Sequence, residues 1–353
     1  MMRWLLARLG RAVAAAWLIA SLVFISSRLL GGGPEQLALG DSSDLSRPAA
    51  GARSAATRQA AQQVVRHRLG LDMPVFYVTR EAGPPVRWQW HGAANQYHRW
   101  VMALLHGNLG YSYRDGQAVG AMLWQAVAFS LPLAGSAAVV AVGLALGLGL
   151  YLAQAPGGRL RRLLLGLLAG WQVMPLFLLA LSLLLLFANP DFLNILPGSG
   201  QPPANASGPT LAGYWLARSV LPLLSLVLAV LPELTLPLVA MLRHEVRAGY
   251  ATTARAKGLT AAQVLRRHAL PNALLPLLTT LADLLPTLVA GTVVVEVLFG
   301  LPGSGRLLAE AAAAHDYPVV VAAVLLSAAA RLLGLVLTDI LYFLADPRLR
   351  PSA

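Results

Sequence analysis

Long stretches without a charged residue constrain this chain more than any other feature of its sequence. No charge occurs in the 43 residues between Asp115 and Arg159, and none occurs in the 28 residues Leu163–Pro190. A bilayer core about 30 Å thick needs roughly 20 apolar residues of helix, whereas a soluble core needs no such run. Only 12% of the 353 residues are charged, which is about half the usual share. The sequence therefore predicts an all-α polytopic membrane protein.

Six transmembrane helices are predicted from the apolar stretches. They lie near 9–30, 126–153, 163–188, 219–242, 273–299 and 318–344. The first could instead be a cleaved signal peptide, because Arg3, Arg8 and Arg11 precede its apolar part. That part is long and lacks a clear small-residue cleavage site, which favours a retained anchor. Prolines inside several spans favour a bundle around a pathway over a simple anchor.

The net charge of +12 predicts the orientation of these helices. On a soluble protein such a charge would suggest nucleic-acid binding, but this chain is too apolar for that interpretation. Six spans place four segments on one side of the membrane, with net charges of +3, +3, +5 and +1, which account for the whole excess. The segments are 1–11, 154–162, 243–270 and 346–353. Because Lys and Arg in short loops stay in the cytoplasm, both termini are predicted to be cytoplasmic.

Patterns for catalysis and metal binding are scarce in this sequence. The absence of cysteine excludes disulfides, thiolate nucleophiles and Cys-ligated metals. The seven His have no His-Glu-x-x-His spacing, and no G-x-x-x-x-G-K-[ST] loop is present to hold ATP phosphates. The sequence therefore argues against an intramembrane enzyme, and no metal or cofactor is expected on this chain.

The longest predicted cytoplasmic loop, 243–271, has the pattern of a helix, a glycine stop and a second helix. Good helix formers fill 251–257 and end in basic residues, and Gly258 suits the left-handed position that closes a helix. Thr260 and Gln263 have the spacing of a capping box. Two such helices could insert into a groove on a cytoplasmic partner, or they could lie on anionic headgroups as an amphipathic interfacial loop.

The same loop resembles the EAA loop of ABC-transporter permeases. That motif reads Glu-Ala-Ala, three residues, Gly, nine residues, an apolar residue, one residue and Leu-Pro. Here Thr252-Thr253-Ala254 stands at the Glu-Ala-Ala positions, Gly258 at the glycine, and Leu270-Pro271 at the closing pair. The run 253–259 is similar to the oligopeptide, dipeptide and nickel branch of these permeases.

Further segments resemble that branch in the same order along the chain. They are Leu69–Pro74, Gly107–Ser112, Val294–Arg306, Asp316–Val319 and Asp339–Arg350. The sequence departs from the branch at Gly31–Pro34 and Leu335, and 75–105 looks like an expanded external segment. These departures leave the substrate and the external docking open.

The resemblance implies the bundle of a type I ABC importer permease in the inner (plasma) membrane of a bacterium. Four regions follow: a transmembrane helix at 1–30, an external periplasmic segment at 31–115, the permease core at 116–346 with its coupling loop at 243–271, and a cytoplasmic tail at 347–353. Di- or oligopeptides are the implied solute. Nickel or another small solute is the alternative, and a secondary transporter that works without ATPases is a further rival.

The resemblance also implies several partners. They are a second permease subunit, usually a different chain and therefore a heterodimer, two cytoplasmic ABC ATPases that hold ATP and Mg, and an external solute-binding protein. Membrane lipids surround the bundle, and no nucleic acid is expected to bind.

Two sets of candidate functional residues result. The coupling set would lie in a groove of the ATPase, with Gly258 allowing the turn and Ala254 and Ala256 allowing close approach. It comprises Ala251, Thr252, Thr253, Ala254, Arg255, Ala256, Lys257, Gly258, Leu259, Leu270 and Pro271.

The second set consists of charges inside predicted spans, which are costly in a bilayer and often functional. They are Glu233, Asp283, Arg331 and Asp339. These residues would line the pathway or a dimer interface. The alternative, which we favour on the sequence, is internal structural ion pairs, or misplaced span ends for Glu233 and Asp339.

Overall fold

The computed structural model describes residues 2–29, 72–81, 87–154, 157–198 and 208–345. The sequence also predicts a helix near 55–69 within the external segment. This stretch and the predicted cytoplasmic tail, 347–353, lie outside the described residues.

Helices account for most of the described chain. In order they are α1 (Met2–Leu29), α2 (Gln96–Leu105), α3 (Val119–Gln154), α4 (Arg159–Val173), α5 (Leu176–Ala188), α6 (Pro209–Arg247), α7 (Gly249–Ala256), α8 (Ala261–Val264), α9 (Leu270–Phe299), α10 (Ser304–Ala313) and α11 (Tyr317–Ala345). A π-helical turn, Leu265–Ala269, joins α8 to α9. Two short strands, β1 (Val78–Glu81) and β2 (Arg87–Trp90), pair antiparallel, with Val78 opposite Trp90.

Three of these helices are each long and apolar enough to cross a bilayer: α3, α6 and the 317–336 part of α11. Two bent pairs raise the number to five if each pair is one span. They are α4 with α5, and the 286–299 part of α9 with α10. The apolar part of α1, Val13–Ser26, is shorter than a span of about 20 residues. The prediction of a polytopic helical membrane protein is confirmed, and three to five spans of sufficient length and apolarity lie among the described residues.

The predicted span 163–188 is not one straight helix. α4 and α5 meet at an angle of 111° around Met174 and Pro175. Proline has no N–H to donate, and its ring disfavours the helical conformation of the residue before it. Met174 is accordingly extended, with φ −77° and ψ 121°. The apolar pattern continues across this break, which is why hydropathy alone predicts a single span.

α6 extends beyond its predicted span at both ends. It begins at Pro209, so residues 209–217, which precede the predicted span 219–242, are helical. Proline is well suited to the first turn of a helix, because its missing N–H would have no helical partner there. With 39 residues, α6 is about 58 Å long at 1.5 Å per residue.

The described residues form two compact units. The first contains the described parts of 127–306 together with 2–9 and 327–345. Its core joins side chains of α3, α4, α5, α6 and α9. α3 contributes a buried stripe of small residues at helical spacing, Ala134, Ala137, Ala141 and Ala145. Small residues on one helix face let neighbouring helices approach closely, and Gly149 of α3 is in contact with Leu238 of α6.

The second unit contains the described parts of 10–126 and 307–326. Aromatic rings join α1 to α2, since Phe24 stacks on Trp100 with ring centroids 4.9 Å apart. The hydroxyl groups of Ser21 and Tyr97 form a hydrogen bond of 2.7 Å. The segment that the sequence described only as external therefore contains a helix packed along α1. On β2, Trp88 and Trp90 are exposed.

Candidate functional site

The loop between α6 and α9 has the helix–glycine–helix structure that the sequence predicts. α7 ends at Ala256, and Gly258 follows with a φ of +88°, a conformation that glycine adopts without steric cost. The Thr260 hydroxyl accepts a hydrogen bond from the Gln263 N–H at 3.3 Å, and the Gln263 side chain accepts one from the Thr260 N–H at 2.9 Å. The predicted capping box is therefore complete and starts α8.

A small core holds the two short helices together. Ala251 and Ala254 are buried against Val264, with Leu259 packed beside them. Ala254 therefore packs inside the loop, and only Ala256 of the two predicted close-approach alanines is exposed. The exposed coupling residues are Thr252, Thr253, Arg255, Ala256, Lys257, Gly258 and Pro271.

Short-range contacts attach the loop to both neighbouring helices. The Tyr250 hydroxyl donates to the Glu245 carboxylate at 2.5 Å, and the Arg255 guanidinium donates to the carbonyl of Val246. Burial and the bond to Glu245 raise the pKa of Tyr250, so its hydroxyl remains a donor at neutral pH. At the other end, Leu270 begins α9 and packs in a cluster with the end of α6. Pro271 lies in the first turn of α9.

The four charges predicted inside spans do not form one cluster. Glu233 and Asp283 line the same cleft between α6 and α9. Arg331 is exposed on α11, and no ion pair involves it among the described residues. Asp339 lies on α11, with its side chain outside the described part of the chain. The internal ion pairs that we favoured on the sequence are thus not found among the charges that the structure describes.

The cleft between α6 and α9 combines carboxylates, hydroxyls and apolar side chains. Its volume is about 240 Å³, and its lining residues are Val230, Glu233, Leu234, Thr280, Asp283, Leu284 and Thr287. Both carboxylate residues are exposed. A cleft lined by one sign of charge concentrates ions of the opposite sign, so this one is suited to cationic groups.

A buried carboxylate that the sequence analysis missed organises the end of α9. Glu296 is 0% exposed. Its Oε1 accepts a hydrogen bond from the Ser130 hydroxyl at 2.6 Å, and its Oε2 accepts one from the Gly305 N–H at 2.7 Å. Gly305 lies in the first turn of α10, where a negative charge is favoured by the helix dipole. The signal was available, because Glu296 is also a charge inside a predicted span.

Arg218 caps the end of α9 from α6. It is only 4% exposed, and its guanidinium donates to the carbonyls of Phe299 at 2.9 Å and Gly300 at 3.2 Å. The last carbonyls of a helix have no partner within the helix, so this contact satisfies two of them. No pattern in the sequence indicates this role, because Arg218 lies just before the predicted span 219–242.

In the second unit, a buried hydrogen bond connects two segments that are distant in the sequence. The Ser112 hydroxyl donates to Asp316 Oδ2 at 2.5 Å, and the Tyr113 N–H donates to Oδ1 at 3.1 Å. Ser112 and Asp316 are both buried. The segments Gly107–Ser112 and Asp316–Val319, which both resemble permease motifs, are therefore in contact.

Comparison with known proteins identifies the family. The sequence profile of the binding-protein-dependent transport system inner membrane component matches residues 145–351, which is more than half of the chain. A putative peptide transport system permease of Brucella abortus (strain 2308) is 30% identical over 355 residues, with 98% of each chain covered. A di/tripeptide transport system permease of Pseudomonas aeruginosa (strain UCBPP-PA14) is 30% identical over 367 residues, with 99% of each chain covered. A dipeptide transport system permease of Escherichia coli K12 is 28% identical over 370 residues, also with 99% of each chain covered. The chain belongs to this family.

Members of this family are the inner membrane components of binding-protein-dependent transport systems. This chain is therefore a membrane permease and not an enzyme. Membership implies a solute-binding protein and further transporter subunits. The region matched by the permease family contains the loop between α6 and α9, the cleft and Glu296, whereas β1, β2 and α2 precede it.

Proposed function

We propose that this permease is one of two membrane subunits of an ATP-driven ABC importer in the inner membrane of a bacterium. Six helices cross the membrane with both termini in the cytoplasm, and 31–115 forms an external segment. A binding protein delivers the solute, while two cytoplasmic ATPases bind ATP and Mg. The exposed helix–glycine–helix loop of α7 and α8 is the observation that carries this proposal. Several relatives are named as dipeptide or peptide permeases, which favours di- or oligopeptides as the solute.

The coupling loop has the form of an element that transmits movement. Its exposed surface includes Thr252, Thr253 and residues 255–258. The segment 243–270 carries a net charge of +5, which suits an acidic groove. The Tyr250–Glu245 bond joins α7 to α6, and the π-helical turn leads directly into α9. Closure of the ATPases would therefore move α6 and α9 together with the loop.

The same two helices carry the cleft that would line the pathway. Glu233 and Asp283 face this cleft from α6 and α9, and carboxylates within spans are stable where water reaches them. A peptide has a cationic amino terminus that these carboxylates attract. Arg331 is exposed on α11 and would contact the second permease, as would Asp339 near the end of the same helix.

Replacing Gly258 tests the coupling role. Gly258→Val places a branched side chain at a φ of +88°, which costs about 1–3 kcal/mol and distorts the turn. We expect ATPase co-purification and peptide uptake to fall by about tenfold, the factor that corresponds to 1.4 kcal/mol within this range. Ala256→Phe adds bulk to the exposed surface without that strain, and the same losses are expected.

Matched controls separate coupling from general damage. Gly170→Val is the control for Gly258→Val, because a Cβ at this position of α4 has open space. Ala312→Phe is the control for Ala256→Phe, because Ala312 is an exposed alanine of α10. Both controls should retain ATPase association. Full transport and ATPase binding by Gly258→Val and Ala256→Phe would refute the coupling role.

A further inference from the structure

Three arginines from two helices converge at one end of the first unit. Arg161 lies in the first turns of α4, and Arg243 and Arg247 lie in the last turns of α6. Arg161 and Arg247 are close enough to Arg243 for their charges to act on it. Arg161 also donates from Nε to the carbonyl of Leu152 at the end of α3, at 3.2 Å. Three helix ends therefore meet at this cluster.

No carboxylate neutralises these arginines within the described ranges. None of the three takes part in an ion pair there, and Arg243 Nε is buried without a hydrogen-bond partner. Glu245 lies between Arg243 and Arg247 in the sequence, but its carboxylate accepts a hydrogen bond from the Tyr250 hydroxyl. Arginine cannot lose its proton at physiological pH, so the mutual repulsion persists unless an anion lies between the guanidinium groups.

The surroundings of the cluster indicate where that anion comes from. On α4, Leu160, Leu163 and Leu167 are 56%, 59% and 47% exposed, and their spacing places them on one face of the helix. An exposed leucine stripe on a membrane protein faces hydrocarbon. The stripe begins one residue before Arg161, so the guanidinium groups lie at the boundary between hydrocarbon and headgroups. Basic pockets between transmembrane helices at this depth bind anionic headgroups.

We propose that Arg161, Arg243 and Arg247 form a binding site for the phosphate of an anionic phospholipid, between the ends of α3, α4 and α6. Guanidinium groups bind phosphate oxygens through paired hydrogen bonds, and two side chains can approach one phosphate from different helices. The site lies at the end of α6 from which α7 continues, so the bound lipid would brace the base of that loop. This inference depends on the membrane location of the chain and not on the solute.

Native mass spectrometry of the full-length chain tests this site, with the protein purified in detergent together with the subunits that accompany it. Phosphatidylglycerol is titrated against phosphatidylcholine. The wild-type chain should retain phosphatidylglycerol preferentially. Arg161→Gln and Arg243→Gln should each weaken its binding by about fivefold, the effect of one basic residue near an anionic surface. Arg247→Gln should weaken phosphatidylglycerol binding to the same extent. Because Arg247 is exposed, this substitution should have little effect on folding.

Arg162→Gln is the matched control, because Arg162 is an exposed arginine of the same helix turn. Equal weakening by this control would show general charge attraction and overturn the site. Displacement of the lipid by millimolar inorganic phosphate would show a free-phosphate site and also overturn the lipid proposal. Unchanged lipid binding in the three variants, with loss of ATPase co-purification, would assign the cluster to a protein partner instead.

Discussion

Glu296 and Val293 of α9 explain why positions 303 and 305 are glycines. A Cβ on Gly303 would lie 2.1 Å from Glu296 Cδ, and a Cβ on Gly305 would lie 2.4 Å from Val293 Cα. Between them, the Ser304 N–H and hydroxyl both donate to the Ser130 hydroxyl, at 2.7 and 3.0 Å. The Gly-Ser-Gly turn is therefore defined by close packing around a buried carboxylate, and Ser304 belongs to the same hydrogen-bond network.

Removing a carboxylate charge from the cleft tests its role in the pathway. Asp283→Asn and Glu233→Gln preserve side-chain volume, and each should lower uptake of a dipeptide by about tenfold, because a hydrogen bond to a charged group is worth about 1.5–3 kcal/mol. Uptake is measured in cells that carry the complete transporter. Thermal stability in detergent should stay unchanged, since both carboxylate residues are exposed.

Asp191→Asn provides the comparison, because Asp191 is exposed and lies outside the cleft. Uptake by this variant should equal that of the wild type. Wild-type uptake by both cleft variants would exclude the two carboxylates from the pathway.

At the scale of elements, local chemistry decides where helices begin and end. The break between α4 and α5 follows from Pro175, and the start of α8 follows from the capping box of Thr260 and Gln263. A π-helical turn precedes α9, with the Leu270 N–H donating to the carbonyl of Leu265. Such turns accommodate an extra residue within a helix. The helix ends and helix starts in the loop are thus determined by residues that lie within four or five positions of them.

The capping box gives a direct prediction for α8. Thr260→Ala removes the side-chain acceptor and should destabilise the start of α8 by about 1 kcal/mol. Amide hydrogen exchange of residues 261–264 should then speed up by about fivefold, as this free energy implies. Thr260→Ser retains the hydroxyl and should exchange like the wild type. Equal exchange in all three proteins would mean that tertiary packing of Val264 alone holds the helix.

At the scale of the whole molecule, the distribution of charge constrains the topology. The excess of +12 lies in four segments that include the Arg161 and Arg243 neighbourhoods. The structure brings parts of two of these segments together, because α4, which contains Arg161, packs against α6, which contains Arg243. Because neighbouring segments lie on the same side of the membrane, the chain between them crosses it an even number of times, as the proposed topology requires.

Reporter fusions test the proposed orientation. A phosphatase that is active only outside the cytoplasm should be active when fused after Gly200 and inactive after Gly258. A fluorescent protein that matures only in the cytoplasm should give the opposite pattern. Phosphatase activity at Gly258 would reverse the proposed topology and place the coupling loop on the wrong side for an ATPase.

The sequence alone determined the features that depend on composition or on near neighbours. Apolar runs predicted the helical membrane fold, and Gly258 with Thr260 predicted the shape of the coupling loop, because their signals act within a few residues. Hydropathy could not reveal the 111° bend, since leucine is equally apolar on both sides of Pro175.

Only the tertiary structure revealed the contacts that join distant segments. Glu296 meets Ser130 across 166 residues, and Arg218 meets the Phe299 carbonyl across 81. Glu233 and Asp283 share a cleft because α6 packs against α9. Such contacts depend on how the helices pack against each other. They cannot be predicted from the local helical pattern, because side chains of many sizes and charges are compatible with the same pattern. The sequence therefore predicted the long apolar helices and the shape of the loop, and packing selected which of their polar groups meet.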